Sequence, residues 1–499
     1  MKQIRQFILF ILLVITLSIF LFSSFPSIIK TLSILIYLLI LFSVSFVLML
    51  ENRSPYKTLL WIYALFFFPI IGYIFFIYSG QLEVKGHLFK QKREHDKKLM
   101  QDTEPYKPSP KWDHLREAEQ SFSKLIETLS QNSISFYSKT KVLKNGDETF
   151  PAIIDALNKA KKYIHLEYYT FKSDQIGMEL IKILCEKAKT GVEIRFIYDA
   201  IGSVGLSKSA VDKMREAGVN VHCFLPVKHG FFNQKLNFRN HRKIVVIDGK
   251  IGFVGGLNVG DEYLGNNPKI GFWRDTHLCL EGEALTSLHA TFLLDWAYVS
   301  DENLFTSKYM AVERAEGDGG IQIVSSGPDS SQGVMSNLYY SMITTAKKSI
   351  WIATPYFVPN KALRTALEMA AARGVEIKLI VPQINDGFLT QYATRSYFPE
   401  LLRNDIEVYM YCKGFLHGKI MIIDGQMASV GTANMDLRSL HLNFEINAFL
   451  FHTESIKELI NHYMEDLGEC EKVDKKRYHN RGLLVRTKES FARLFSPVL

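Results

Sequence analysis

One pattern of eighteen residues occurs twice, and it constrains the fold more than any other feature of the chain. The first copy is His241-Arg-Lys243-Ile-Val-Val-Ile-Asp248, followed by Gly255-Gly-Leu-Asn258. The second is His417-Gly-Lys419-Ile-Met-Ile-Ile-Asp424, followed by Gly431-Thr-Ala-Asn434. The copies lie 176 residues apart in one register: Lys two after His, Asp seven, Gly fourteen, Asn seventeen. A single match of this kind carries a false-positive risk, but two in register do not arise by chance.

Each copy reads as a strand. The runs Ile244–Ile247 and Ile420–Ile423 are apolar throughout, which suits a strand buried on both faces. Alternation with period two would put His and Lys on the same face. Asp248-Gly249 and Asp424-Gly425 then supply hairpin turns.

The duplication extends further. Ala160-Lys-Lys-Tyr-Ile-His-Leu-Glu-Tyr-Tyr-Thr-Phe171 matches Ala346-Lys-Lys-Ser-Ile-Trp-Ile-Ala-Thr-Pro-Tyr-Phe357. Gly191-Val-Glu-Ile-Arg-Phe-Ile-Tyr198 matches Gly374-Val-Glu-Ile-Lys-Leu-Ile-Val381. Between these strands the pattern predicts helices near 178–190 and 361–373, each closed by Gly. Second helices are expected near 208–217 and 392–403. The alternation predicts α/β halves, each a parallel or mixed sheet covered on both faces. Two such halves, 136–320 and 321–499, would face each other about a pseudo-two-fold axis. Their matching motifs would meet at the seam.

The N-terminus is of another kind. Residues 7–25, 31–50 and 59–78 are three uncharged, largely apolar runs, each near the length needed to cross a bilayer. The third is crowded with aromatics and interrupted by Pro69 and Gly72. Lys2 and Arg5 fit a signal peptide, but the first run is long, lacks a small-x-small cleavage site and is followed at once by a second. Residues 1–80 therefore read as an uncleaved anchor, and 81–135 as a basic connector. Lys85 to Lys98 place the following body on the cytoplasmic side, while Lys2 and Arg5 favour the same side for the N-terminus. Three full spans cannot satisfy both, so either one segment is re-entrant or interfacial, or the N-terminus is outside.

The formal charge of +8 suits anionic partners, nucleic acid or anionic lipid. The anchor argues against nucleic acid. The five scattered cysteines offer neither a CxxC pair nor zinc spacing.

The paired motifs resemble those of the phospholipase D superfamily, whose members combine two in one active site. Within it the chain resembles bacterial cardiolipin synthases. That likeness rests on Glu51-Asn-Arg-Ser-Pro-Tyr-Lys-Thr-Leu-Leu-Trp61, Asn237-Phe-Arg-Asn-His-Arg-Lys243, Phe253-Val-Gly-Gly-Leu-Asn-Val-Gly-Asp-Glu-Tyr263, Trp273-Arg-Asp-Thr-His277 and Glu489-Ser-Phe-Ala-Arg-Leu-Phe-Ser-Pro497. The resemblance implies a multi-pass enzyme of the bacterial plasma membrane with a cytoplasmic catalytic body. It would join two phosphatidylglycerols into cardiolipin and free glycerol. A hydrolase or nuclease of the same fold is the alternative.

It further implies His241 as nucleophile and His417 as acid/base, although the near-symmetry of the motifs leaves the reverse open. Lys243 and Lys419, with Asn258 and Asn434, would hold the phosphate oxygens. Asp248 and Asp424 belong to the motifs but look structural. Asp275 and Glu445, in corresponding strands after the motifs, are expected to orient the imidazoles. No cofactor is expected. Two-metal phosphoryl sites require clustered carboxylates, and the sequence beside the motifs has none. His165, His222, His277 and His289 lie in or near apolar runs and read as core residues, and the matched Arg195 and Lys378 as edge or interface residues. The stretch 483–499 mixes basic and apolar residues, as in a helix resting on a bilayer or an ordinary terminal helix.

Overall fold

The computed structural model describes residues 2–22, 24–50, 55–78, 88–101, 115–227, 235–268, 270–311, 313–330 and 333–496. They form two compact units. One comprises Met1–Phe89 with Val227–Asn237, the other Lys90–Pro226 with Phe238–Leu499.

The larger unit is built on two mixed sheets with one plan. In spatial order the first runs Ser138–Lys144, Thr276–Gly282, Ile251–Gly255, Lys243–Ile247, Tyr163–Tyr168, Glu193–Asp199 and Asn220–Phe224. The second runs Gly320–Ser326, Glu445–Phe451, Met427–Gly431, Ile420–Ile423, Ser349–Ala353, Glu376–Pro382 and Glu407–Tyr411, with Cys470–Lys472 added at the far edge. The strands after each motif and the turns into them are therefore equivalent. Every residue of Lys243–Ile247 and of Ile420–Ile423 is buried, as their unbroken apolar runs require. Each motif strand turns into its hairpin through left-handed backbone. Asp248 and Asp424 have φ 54°, and Gly249 and Gly425 have φ 67°. Asp and Gly are the residues that adopt this region most readily.

The expected helices are Gln175–Lys189, Lys361–Ala372 and Lys208–Glu216. The fourth differs. Instead of one helix over 392–403 there are two, Phe388–Arg395 and Phe398–Arg403. Pro399, at the start of the second, cannot donate into a continuous helix.

The stretch 81–135 departs from a connector. Residues 81–87 (with Lys85) and 102–114 lie outside the described residues. Lys90–Gln101 is a helix whose Lys92 is 4% exposed. Glu117–Ser130 is a second helix, and it completes the core of the second half. Phe122 packs edge-on against Phe449 and tilted against Phe451 there. Its apolar residues are few and spaced by polar ones, so the sequence alone looked solvated.

Among the described residues of the smaller unit, one helix is long and apolar enough to cross a bilayer. It is Ser27–Leu50, 24 residues. At 1.5 Å per residue it is about 36 Å long, against a hydrocarbon core of about 30 Å. Ile8–Leu21 is a shorter apolar segment. The third expected span is broken into Pro55–Phe67 and Pro69–Tyr78. Pro69 interrupts it, and the arms fold back on one another. A Cβ on Gly72 would stand 2.5 Å from the Ala64 carbonyl oxygen, whereas residues eight apart in a straight helix are separated by about 12 Å. Neither arm is long enough to reach across a bilayer, so the run 59–78 does not form one continuous span. The segment Glu51–Ser54 lies outside the described residues.

Candidate active site

Both histidines leave their own sheets. The motif strands begin at Lys243 and Ile420, so His241 and His417 precede them rather than lying on them. Each histidine backbone is instead held by the opposite half. The His241 amide donates to the Phe444 carbonyl at 2.9 Å, and the His417 amide donates to the Arg274 carbonyl at 2.7 Å. Beside His417, Gly414–Leu416 pairs in parallel with Phe272–Arg274 of the first half.

The orienting acids follow the same crossing. His241 Nδ1 lies 2.9 Å from Glu445, and His417 Nδ1 lies 2.7 Å from Asp275. Asp275 and Glu445, expected to orient imidazoles, each stand at Nδ1 of the histidine of the other half. A carboxylate at Nδ1 holds the proton there and leaves the Nε2 lone pair outward. Asp275 also accepts from the Trp273 indole and the Thr276 amide. Glu445 accepts from the Thr432 hydroxyl at 2.5 Å and from Asn443. The two pairs differ at one matched position. A Cβ on Gly256 would lie 2.0 Å from Asp275 Oδ1, while its counterpart Thr432 supplies a hydroxyl to Glu445.

Lys243 and Lys419 are fully enclosed, 0% and 2% exposed. Each ammonium donates to its own motif histidine's carbonyl, at 2.7 and 2.6 Å. An ammonium has three donors, so two remain for a ligand. Burial lowers both pKa values, and Lys419 adds to the lowering of Lys243. Lys419 falls to about 8 and Lys243 falls well below its ordinary value, although Glu445 and Asp275 oppose this. Burial likewise lowers the imidazoles. His241 falls to about 4 despite Glu445, and His417 to about 3, with Lys419 adding to the effect and Asp275 opposing it. Burial alone would raise Asp275, but His417 and Lys419 hold it at about 2. Glu445 is held below its ordinary value by His241 and Lys243 against the same burial effect. The arrangement crowds two imidazoles and two buried amines together, a cradle that gains from an anion.

The asparagines are partly committed. Asn258 accepts from the Thr170 amide and donates to the Tyr263 hydroxyl at 3.3 Å. Asn434 donates to Asp436 at 2.9 Å. Each amide nitrogen keeps a second N–H.

Asp248 and Asp424 stand at the far ends of their strands, about five residues or 16 Å from the lysines. Asp248 accepts from the amides of Lys161, Lys162 and Tyr163, and Asp424 from those of Lys347, Lys348 and Ser349. They pin the neighbouring strands and do not face the cradle. Asp248→Ala should lower stability by about 1–3 kcal/mol, as loss of charge-assisted bonds does. Turnover per folded molecule should stay within a few-fold, which a melting curve and a rate normalised to folded protein would show. A large kcat loss in fully folded protein would put Asp248 back in the chemistry.

Several residues here were given no role by the sequence. Tyr169 packs edge-on against His241 with ring centroids 5.0 Å apart, and Lys243 Nζ lies 5.4 Å from its ring centre. Trp273 lies 4.9 Å from the His417 ring. Arg242, between His241 and Lys243, pairs with Asp295 and donates to the Glu445 and Ser326 carbonyls. Lys92 joins that network at 3.2 Å from Asp295 and 2.8 Å from Asp329. The helix preceding the first sheet is thus tied to the catalytic loop through buried charge.

His165 and His289 hydrogen-bond each other at 2.8 Å in the core. His222 packs edge-on against Trp296, and His277 is buried. Arg195 is buried among Glu193, Glu302 and Tyr309, while Lys378 pairs with Glu376.

Comparison with known proteins follows the same lines. The family described as "Cardiolipin synthase, PLD-like domain" matches residues 153–296 and 339–467. A probable cardiolipin synthase of Bacillus subtilis (strain 168), YwiE, is 56% identical over 462 residues, 92% of each chain. A cardiolipin synthase of Geobacillus sp. (strain WCH70) is 47% identical over 475 residues, 94% of each chain. Among solved structures, the phosphatidylserine synthase of Haemophilus influenzae Rd KW20 superposes with a TM-score of 0.58 at 12% identity. The match covers 77% of this chain and all of that one, and shows a shared fold.

Proposed function

Because the chain belongs to the cardiolipin synthase family of phospholipase D-like proteins, we propose that its two crossed histidine–carboxylate pairs transfer a phosphatidyl group from one phosphatidylglycerol to another. The observation that carries this is the pairing itself: two Nε2 atoms set free by carboxylates from opposite halves. In the first step His241 Nε2 attacks phosphorus, the bond from phosphorus to the glycerol oxygen breaks, and His417 gives that oxygen a proton. The products are phosphatidyl-His241 and glycerol. In the second step His417 removes a proton from the hydroxyl of another phosphatidylglycerol. That oxygen attacks phosphorus, the P–N bond breaks, and cardiolipin leaves. One phosphodiester is exchanged for another, so no nucleotide is consumed. Lys243 and Lys419, with the spare N–H groups of Asn258 and Asn434, neutralise the charge that develops on the non-bridging oxygens.

Purified protein given phosphatidylglycerol labelled in its headgroup should release glycerol and cardiolipin in equal amounts. A chelator should leave the rate within a few-fold. Glycerol with phosphatidic acid would instead mark a hydrolase, and a strict divalent requirement in the chemical step would overturn the account.

The protonation states set a pH dependence. In the empty site both imidazoles are depressed, His241 to about 4 and His417 to about 3. A bound phosphate monoanion raises both by Coulomb attraction. Binding of inorganic phosphate should therefore take up protons and tighten as pH falls. The rate at saturating lipid should fall as pH rises through the bound-state value of His417, where the acid is lost. Buffer-dependent binding enthalpies test the first point; no proton uptake would contradict it.

The body 90–499 is proposed to lie on the cytoplasmic face, held by the helix Ser27–Leu50. Cys412 is free and exposed on that body. A membrane-impermeant maleimide should label it only in permeabilised cells, and labelling in intact cells would reverse the topology.

A further inference from the structure

The helix Leu483–Leu494 is packed by one side only. Glu489 and Ala492 are buried, while Leu483, Leu484, Phe491 and Leu494 are 78%, 70%, 52% and 76% exposed. At about 100° per residue those four apolar side chains fall in one sector, turned away from Glu489. Arg486 and Arg493 fall together in the next. This is the distribution of a helix lying in a membrane interface. Scattered single apolar residues would need no explanation, but four in one sector, broken only by Thr487 and bordered by cations, do.

The two arginines open onto a cavity of about 1120 Å³. Seven arginines and lysines line it against three glutamates. The glutamates are already engaged. Glu400 takes Arg364 and Arg493, Glu489 takes Arg481 and Tyr478, and Glu368 accepts from Asn404. Arg403, Lys476 and Arg486 have no carboxylate partner among the described residues. None of the lining residues belongs to the histidine–carboxylate pairs.

We propose that this cavity and the apolar sector beside it form a second, non-catalytic site for anionic phospholipid at a bilayer surface. The headgroup phosphate would sit against Arg403, Lys476 and Arg486, with Leu484, Phe491 and Leu494 in the acyl region. A second copy of this chain is a poor occupant, since it would bring the same unpaired cations face to face. A free phosphate would leave the apolar sector in water. A lipid satisfies both parts at once, and the site holds the body against a leaflet rich in anionic lipid without taking part in transfer.

The test is amide hydrogen exchange of the full-length protein in nanodiscs. One set contains phosphatidylcholine alone, the other phosphatidylcholine with phosphatidic acid. The amides of 483–494 should exchange several-fold more slowly in the anionic discs. In R403Q/K476Q/R486Q the docked population should fall by about a hundredfold, which removes the difference. That variant should keep wild-type turnover on detergent-dispersed phosphatidylglycerol, because the cations serve docking and not the fold. The proposal is overturned by equal exchange in both discs, by protection retained in the triple variant, by loss of its detergent activity, or by protection from inorganic phosphate alone.

Discussion

Replacing His241 by alanine should lower turnover on phosphatidylglycerol by on the order of a million-fold, the scale seen when a nucleophile that works as part of a unit is removed. It also leaves no phosphatidyl-enzyme to trap. Replacing His417 by alanine costs about 10²–10⁴-fold, as expected for a general acid/base, and still allows an adduct from substrates whose leaving group needs no proton. Both proteins should stay folded, because the backbone amides of residues 241 and 417, which tie each loop to the opposite half, are kept in the substitution. Mixing the two variants should restore nothing, since one chain supplies both histidines. Recovery on mixing would mean that the working site is shared between chains. An adduct in His241→Ala would exchange the two roles.

The second large effect crosses the halves. Glu445→Gln should damage the His241 step, and Asp275→Asn the His417 step, each by about 10²–10⁴-fold, since an amide at this position stabilises the wrong tautomer. Each acid acts through a histidine it does not share a motif with. Glu445→Gln should therefore slow formation of the adduct, whereas Asp275→Asn should shift the pH limb that belongs to the acid. A purely structural role would lower Tm and leave the pH profile in place. If Glu445→Gln left adduct formation untouched while Asp275→Asn slowed it, the nucleophile would be His417.

Much of this was legible before any coordinates. An Asp-Gly turn after a four-residue apolar run can hardly be anything but a buried hairpin, and both copies form one. Asp275 and Glu445 could be picked out because each follows its motif hairpin, although only Glu445 lies in a strand and Asp275 stands in the break between Phe272–Arg274 and Thr276–Gly282. Their crossing could not. It depends on how two sheets meet, and nothing local to Glu445 says that His241 lies nearer than His417. The placement of the histidines just off the strand ends has the same cause, because their backbone partners, Phe444 and Arg274, are donated by the other half. Period-two alternation sees only a strand's own pattern.

Lys92 was hidden for a different reason. In a run of basic residues nothing separates the one lysine that meets Asp295 and Asp329 from its solvated neighbours. Pro69 was visible as an interruption, but whether a proline kinks a span or ends it is decided by packing such as that of Gly72 on Ala64.

The most direct test of the account is to identify the atom that carries the phosphatidyl group. Wild-type protein mixed briefly with phosphatidylglycerol labelled in its phosphate, quenched in denaturant at alkaline pH, where phosphoramidates persist, and digested should yield a labelled peptide. The account predicts phosphate on His241 and release of one glycerol for each label incorporated. Label on His417, or glycerol and cardiolipin formed at full rate with no labelled histidine in the quench, would contradict it.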